Sequence, residues 1–172
     1  NTGVGYETLK AITAGQYNTV IGYNAGDAIT TSNSNTLVGA SAGGSITTQQ
    51  YNTLVGSFCG HGLNGGDGQN TALGREALYY ASGTNNATGN IAIGNQALQQ
   101  TSTGDFNVAI GYKAGERNNS SQNIFIGNLA SGSGANQEIV IGSGTSTYQN
   151  PLIGGGTETI RIGRASDYIT ND

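Results

Sequence analysis

Asn18-Thr19-Val20-Ile21-Gly22-Tyr23-Asn24-Ala25-Gly26 is the stretch on which the reading of this chain turns, because its opening pentad comes back in register along most of the sequence. Copies stand at Asn35-Thr36-Leu37-Val38-Gly39, Asn52-Thr53-Leu54-Val55-Gly56, Asn70-Thr71-Ala72-Leu73-Gly74, Asn90-Ile91-Ala92-Ile93-Gly94, Asn107-Val108-Ala109-Ile110-Gly111 and Asn123-Ile124-Phe125-Ile126-Gly127. Weaker copies end at Gly5, Gly142, Gly154 and Gly163. From one anchor glycine to the next the steps are 17, 17, 17, 18, 20, 17, 16, 15, 12 and 9 residues. A period of this size marks a solenoid, in which each unit buries its apolar face only against its neighbours.

The residue before each anchor is always Val, Leu or Ile, and two residues earlier stand Thr2, Thr19, Thr36, Thr53 and Thr71, then Ile91, Val108, Ile124 and Ile139. Spacing of two puts both positions on one side of a short strand, the side expected to line the coil's interior. Helix is excluded by the glycines and Asn/Ser clusters in every coil and by the lack of a 3.6-residue apolar period. A second apolar mark seven residues after the anchor, at Ile12, Ile29, Ile46 and Leu63, predicts another inward point. The Asn heading each pentad suits a turn that tolerates left-handed backbone, and its amide can bond its own or a neighbouring coil. Three residues past the anchor, Ala25, Ala42, Cys59, Ala77, Ala97, Ala114 and Ala130 define a slot for small side chains, which accounts for the lone cysteine.

Between the two flanking positions lies a row expected to point outward: Val20, Leu37, Leu54, Ala72, Ala92, Ala109, Phe125, Val140 and Leu152. Leaving it in water would cost on the order of 10 kcal/mol per chain, at ~1.5–3 kcal/mol per large apolar side chain. The row is therefore expected to be the trimer-packing surface, in parallel copies about a shared axis. Arg161 interrupts it in the last copy. The expected fold class is all-β: a parallel β-helix or β-roll solenoid with coils of about 17 residues, packed or intertwined as a homotrimeric fibre. Residues 1–131 form the regular repeats. Residues 132–172 form shorter, looser coils leading to a cap or a further domain, with Asp167-Tyr168-Ile169 at its start.

Among 172 residues there are 30 glycines, one proline and only 9% charged side chains, and the hydrophobic share of 35% is too low for a thick core of large side chains. The net charge of −4, with six scattered Lys and Arg, gives no footprint for nucleic acid. No run of about 20 apolar residues and no signal-peptide pattern predicts membrane insertion. The chain opens inside a repeat copy, at Asn1-Thr2-Gly3-Val4-Gly5, as expected of a piece of a longer polypeptide.

The pentad with its downstream small residue resembles the Asn-Ser-Val-Ala-Ile-Gly repeat in the heads of trimeric autotransporter adhesins. Its fuller form, at 18–26 and 107–115, is similar to repeats in the tail-fibre proteins of tailed bacteriophages. The resemblance covers roughly residues 1–131. It implies a trimeric parallel β-roll or β-helix fibre that attaches to a cell surface, located on a virion or otherwise extracellular, and it carries over no catalytic residue. The longer step, and the lack of a visible anchor segment, favour the virion fibre over the bacterial adhesin head.

Cys59 and His61 form a nucleophile and base pair only in composition, with no third group to orient them. Glu7 and Glu76 share a slot four coils apart, and Asp27 and Glu116 another at five, too far for the paired carboxylates of a polysaccharide-cleaving tailspike. Gly65-Gly66-Asp67-Gly68 has the look of a calcium-binding turn but occurs once, where such sites need repeated carboxylates. No enzyme activity, metal or cofactor is expected. The intervals 61–69 and 79–86 exceed the regular step and are expected to emerge as surface loops. Tyr6, Tyr23 and Tyr112, in the slot after the anchor, together with Tyr79 and Tyr80, are candidate glycan contacts, an apolar ring with a polar tip suiting sugar. The partners expected are two further copies of the chain and a host cell-surface glycan or protein receptor. An ice-binding solenoid is the remaining alternative, prompted by the threonines in one register and opposed by their expected place inside the coil.

Overall fold

The structure is a computed structural model and describes residues 1–80, 87–145 and 148–153, with side chains up to residue 142. Nine strands, β1 (Thr2–Val4), β2 (Thr19–Ile21), β3 (Thr36–Val38), β4 (Thr53–Val55), β5 (Thr71–Leu73), β6 (Ile91–Ile93), β7 (Val108–Ile110), β8 (Ile124–Ile126) and β9 (Ile139–Thr145), pair in parallel in chain order. Thr2 stands opposite Thr19, Thr19 opposite Thr36, and so on to Ile124 opposite Ile139. Each coil is thus one interval between anchor glycines, and the first eight intervals build a β-solenoid. Eight rises at ~4.8 Å make it roughly 40 Å long.

The anchor glycines hold the stack at its tightest point. From Gly5 to Gly142 their φ angles lie between 132° and 151°, a region closed to side chains, and from Gly5 to Gly127 a Cβ would fall within 3.0 Å of the next anchor's carbonyl oxygen. The left-handed residue near the Asn is the one before it: Tyr17, Ser34, Tyr51, Gln69, Phe106 and Gln122 have φ between 56° and 64°. The Asn itself turns inward and forms a ladder. Asn18 Nδ2 and backbone N–H donate to Asn1 Oδ1 at 3.1 and 2.9 Å, and Asn35, Asn52, Asn70, Asn90 and Asn107 each donate in the same two ways to the Asn below. Asn123 and then Glu138 continue it through their backbone N–H groups at 2.9 and 2.7 Å.

The facing of the strands is the reverse of the expectation. Val20, Leu37, Leu54, Ala72, Ala92, Ala109, Phe125 and Val140 are buried within the chain's own body, so this row is core and is not open to pack against sister chains. The flanking positions point out. The ladder supplies the reason: Asn and the middle residue lie two apart, so an inward Asn carries the middle side chain inward with it. The marks at Ile29, Ile46 and Leu63 and the small slot from Ala25 to Ala130, Cys59 included, are buried as expected, and Ile12 packs against the core.

Where the seventh position is no longer a large apolar residue, the core is filled from elsewhere. Leu78 and Leu98 occupy the fourth position after the anchor and are buried, whereas Gly26, Gly43, Gly60 and Gly115 stand there in other coils. A Cβ on Gly115 would meet Leu98 Cδ2 at 2.7 Å and Phe125 Cδ2 at 2.8 Å, so these two neighbours fill the space over it.

Among the described residues the parallel stack ends at β9. β10 (Tyr148–Ile153) returns antiparallel to it, so the copy ending at Gly154 does not add the expected coil. Pro151 holds the position whose N–H, in Thr2, Thr19 and Thr36, donates to the Asn carbonyl of the next coil, and proline has none to give. The side chain of Leu152, the anchors Gly154 and Gly163, Arg161 and residues 167–169 lie outside the described residues, as do 81–86 of the second long interval.

Candidate functional site

Each coil offers two contrasting surfaces, set by the parity of the strand and by the turn after the glycine. The strand face carries one column of Thr2, Thr19, Thr36, Thr53, Thr71, Ile91, Val108 and Ile124, and a second of Val4, Ile21, Val38, Val55, Leu73, Ile93, Ile110 and Ile126. No charged residue interrupts either column. Val4 is 56% exposed, Leu73 50% and Ile21 41%, so the apolar side chains face water.

The turn face carries most of the charges. Glu7 pairs with Lys10 at 3.0 Å and Lys113 with Glu116 at 2.9 Å, each joining the second and fifth positions after the anchor, and Arg75 pairs with Glu76. Glu76 also accepts from Gln96 and Gln99 at 2.7 Å. These partners hold Lys10 and Lys113 above the ordinary lysine range, a hydrogen bond to the carboxylate being the main cause. The four carboxylates weighed for hydrolysis sit in four separate coils, and three of them, Glu7, Glu76 and Glu116, are ion-paired. Among the described residues no three His, Cys, Asp or Glu side chains come together. Gly65, Gly66 and Asp67 belong to a turn that ends at Gly68, which bridges to Gln50.

Tyr6 and Tyr23 stack with centroids 5.5 Å apart and planes 10° apart. Tyr112 lies five coils further along, with the Lys113 ammonium 5.7 Å from its ring centroid. Tyr79 joins neither; it packs against Phe58 and His61, while Tyr80 beside it is half-buried. The five tyrosines thus fall into three places. Cys59 points into the core and burial pushes its thiol up to about 12, a backbone hydrogen bond at Val55 offsetting this in part. His61 points out, so the two are not a reacting pair.

Phe58 is the residue that sequence reasoning missed. It occupies the second position after the anchor, left-handed at φ 56°, where a bulky side chain is costly, and it is 41% exposed. Its signal in the sequence was that every other coil places Glu, Asn, Ser, Gln, Lys or Leu there. No protein-family model, curated protein or solved structure matches the chain.

Proposed function

We propose that this chain is a segment of a homotrimeric attachment fibre, akin to the phage tail fibres its repeat resembles, that carries binding surfaces for a host cell-surface glycan. The observation behind this reading is the uncharged, largely apolar strand face, continuous over eight coils while the charged side chains lie elsewhere. Covering such a face lengthwise demands a partner with the same ~4.8 Å rise, and a parallel second copy has it by construction. The face is two columns wide, so one column can meet one neighbour and the other column a second neighbour. Such heterologous contacts close as a ring, and three chains is the smallest ring they form. The packing surface is thus the flanking columns in place of the row first expected.

Light scattering on the purified chain is the test, with a mass of about three times 17.4 kDa expected. A monodisperse 17.4 kDa particle at high concentration would overturn the assembly. A second reading gains from the reversed facing: Thr2, Thr19, Thr36, Thr53 and Thr71 are exposed and in register on one flat face, as an ice-binding surface requires. Ile91, Val108 and Ile124 replace threonine further along, which favours burial against protein. Thermal hysteresis in a monomeric sample would decide for ice.

A further inference from the structure

The turn Leu63-Asn64-Gly65-Gly66-Asp67-Gly68 holds the chain's single Asn-Gly pair, and it lies in an interval of 18 residues, one longer than the three before it. Asn64 is exposed and Gly65 half-buried. An asparagine followed by glycine is open to attack on its own side chain, because the next backbone nitrogen can reach Cγ and no Cβ stands in the way. In a folded chain the outcome depends on where that nitrogen is held. In the ladder, the N–H after each Asn, from Thr19 to Ile124, donates to a carbonyl of the next coil at 2.8 Å. Those residues are all branched at Cβ, and the carboxamides before them are buried. Outside the ladder the N–H groups after Asn33, Asn95, Asn128 and Asn136 also donate to carbonyls, at 3.0, 3.0, 2.8 and 3.2 Å. Among the described residues no hydrogen bond takes up the Gly65 N–H. The Asp67-Gly68 pair differs: Asp67 N–H donates to Thr88 Oγ1 at 3.1 Å, and its carbonyl accepts from Gln50 N–H at 3.4 Å, which fixes it between coils.

We propose that Asn64 is a self-modification site, at which the Gly65 nitrogen converts the side-chain amide to a succinimide that water opens to isoaspartate and aspartate. The Gly65 N–H gives its proton to hydroxide, and its nitrogen forms a bond to Asn64 Cγ. The Cγ–Nδ2 bond breaks, and the nitrogen leaves as ammonia, taking a proton back from water. Water then adds to one of the two imide carbonyls. Opening at Cγ restores the ordinary backbone with an aspartate side chain, and opening at the backbone carbonyl leaves the chain running through Cγ as isoaspartate. No oxidant, metal or second protein takes part. Either product adds a carboxylate to a turn whose only other one is Asp67, a change of charge on an exposed surface. The extra backbone atom of isoaspartate falls before the bonds of Asp67 and Gln69 to Thr88 and Gln50, so the stack keeps its register. The ladder asparagines are spared by the same bonds between coils that build the stack. The site stands apart from the attachment reading, since it needs only one folded chain and water.

The test is incubation of the folded chain in mildly alkaline buffer, read by peptide mapping in the mass spectrometer and by methylation of isoaspartate with a protein-isoaspartate methyltransferase. The mass difference between an amide and an acid is expected to appear at Asn64 at least about tenfold faster than at any ladder asparagine, the ratio that about 1.4 kcal/mol of barrier produces. Isoaspartate is expected among the products. Gly65 lies outside the left-handed region that Gly66 occupies at φ 72°, so its backbone accepts alanine. Gly65→Ala should slow the conversion about tenfold or more by setting a Cβ beside the attacking nitrogen. Asn64→Gln, which lengthens the side chain, should remove the methyl-accepting site. Conversion at Asn64 no faster than in the ladder, products without isoaspartate, or a Gly65→Ala rate equal to that of the natural chain would each overturn the site.

Discussion

At the scale of single residues, the asparagine ladder holds the most concentrated polar chemistry. Asn52 gives Nδ2 to Asn35 Oδ1 and takes two donors of Asn70 on its own oxygen, all of them buried. Asn52→Ala leaves the Asn70 donors without that acceptor, and each unsatisfied buried group costs about 1–3 kcal/mol. A loss of about 3 kcal/mol in urea unfolding is expected, and Asn52→Asp should be worse because it sets a carboxylate oxygen against Asn35 Oδ1. A loss under about 0.5 kcal/mol, the range of surface substitutions, would show that the ladder is not stabilising. His61 makes a second prediction. Burial lowers its pKa below the ordinary 6.5, with Asp27 opposing, so the unfolded chain binds the proton more readily. Stability is therefore present above pH 6.5 and is lost as pH falls from there through the lower folded value. His61→Gln should flatten that part of the unfolding-against-pH curve, and an unchanged slope would assign it to other groups.

At the scale of the strand, Leu54 and Val55 are neighbours with opposite duties. Leu54 is fully buried in the coil, so Leu54→Ala should cost about 2–5 kcal/mol of chain stability. Val55→Lys stays on the outer face and should cost no more than about 1 kcal/mol in the isolated chain, the span of strand propensity. Urea unfolding of dilute samples measures both, and equal losses would undo the assignment of faces. The same pair explains what was legible beforehand. Period, strand positions, coil boundaries and the small slot at Cys59 were all readable, because a regular step imposes the register that β1–β9 display. The inside was not, since strands β1–β8 are three residues long and β6–β8 are apolar at all three positions, which gives parity little contrast. What could have decided it were Thr19, Thr36, Thr53 and Thr71, whose hydroxyls would have lacked partners in a narrow core, and the Asn two residues before the middle position. The cluster of Phe58, His61 and Tyr79 was hidden for another reason: it joins side chains of two successive coils, which only stacking brings together.

At the scale of the whole molecule, the thin core makes association and stability one question. A 17-residue coil encloses only a few side chains, several of them alanines, and the exposed aliphatic residues Val4, Ile21, Leu73, Ile91 and Ile110 stand on the strand face, so these are buried only when that face is covered. If three chains unfold together, the unfolding free energy per assembly depends on the square of chain concentration, and if two do, on its first power. At 1.4 kcal/mol per factor of ten, the slope is about 2.8 kcal/mol per decade for a trimer and about 1.4 for a dimer. Thermal unfolding over two decades of concentration should give the steeper slope for the natural chain. Ile93→Lys places a charge in the middle of the second outer column, where a neighbouring copy would have to desolvate it without a partner, since no acidic residue lies on that face. The variant should unfold with no concentration dependence and a light-scattering mass of 17.4 kDa while keeping its β circular dichroism. A natural chain whose midpoint ignores concentration would mean that the strand face is left to water or ice.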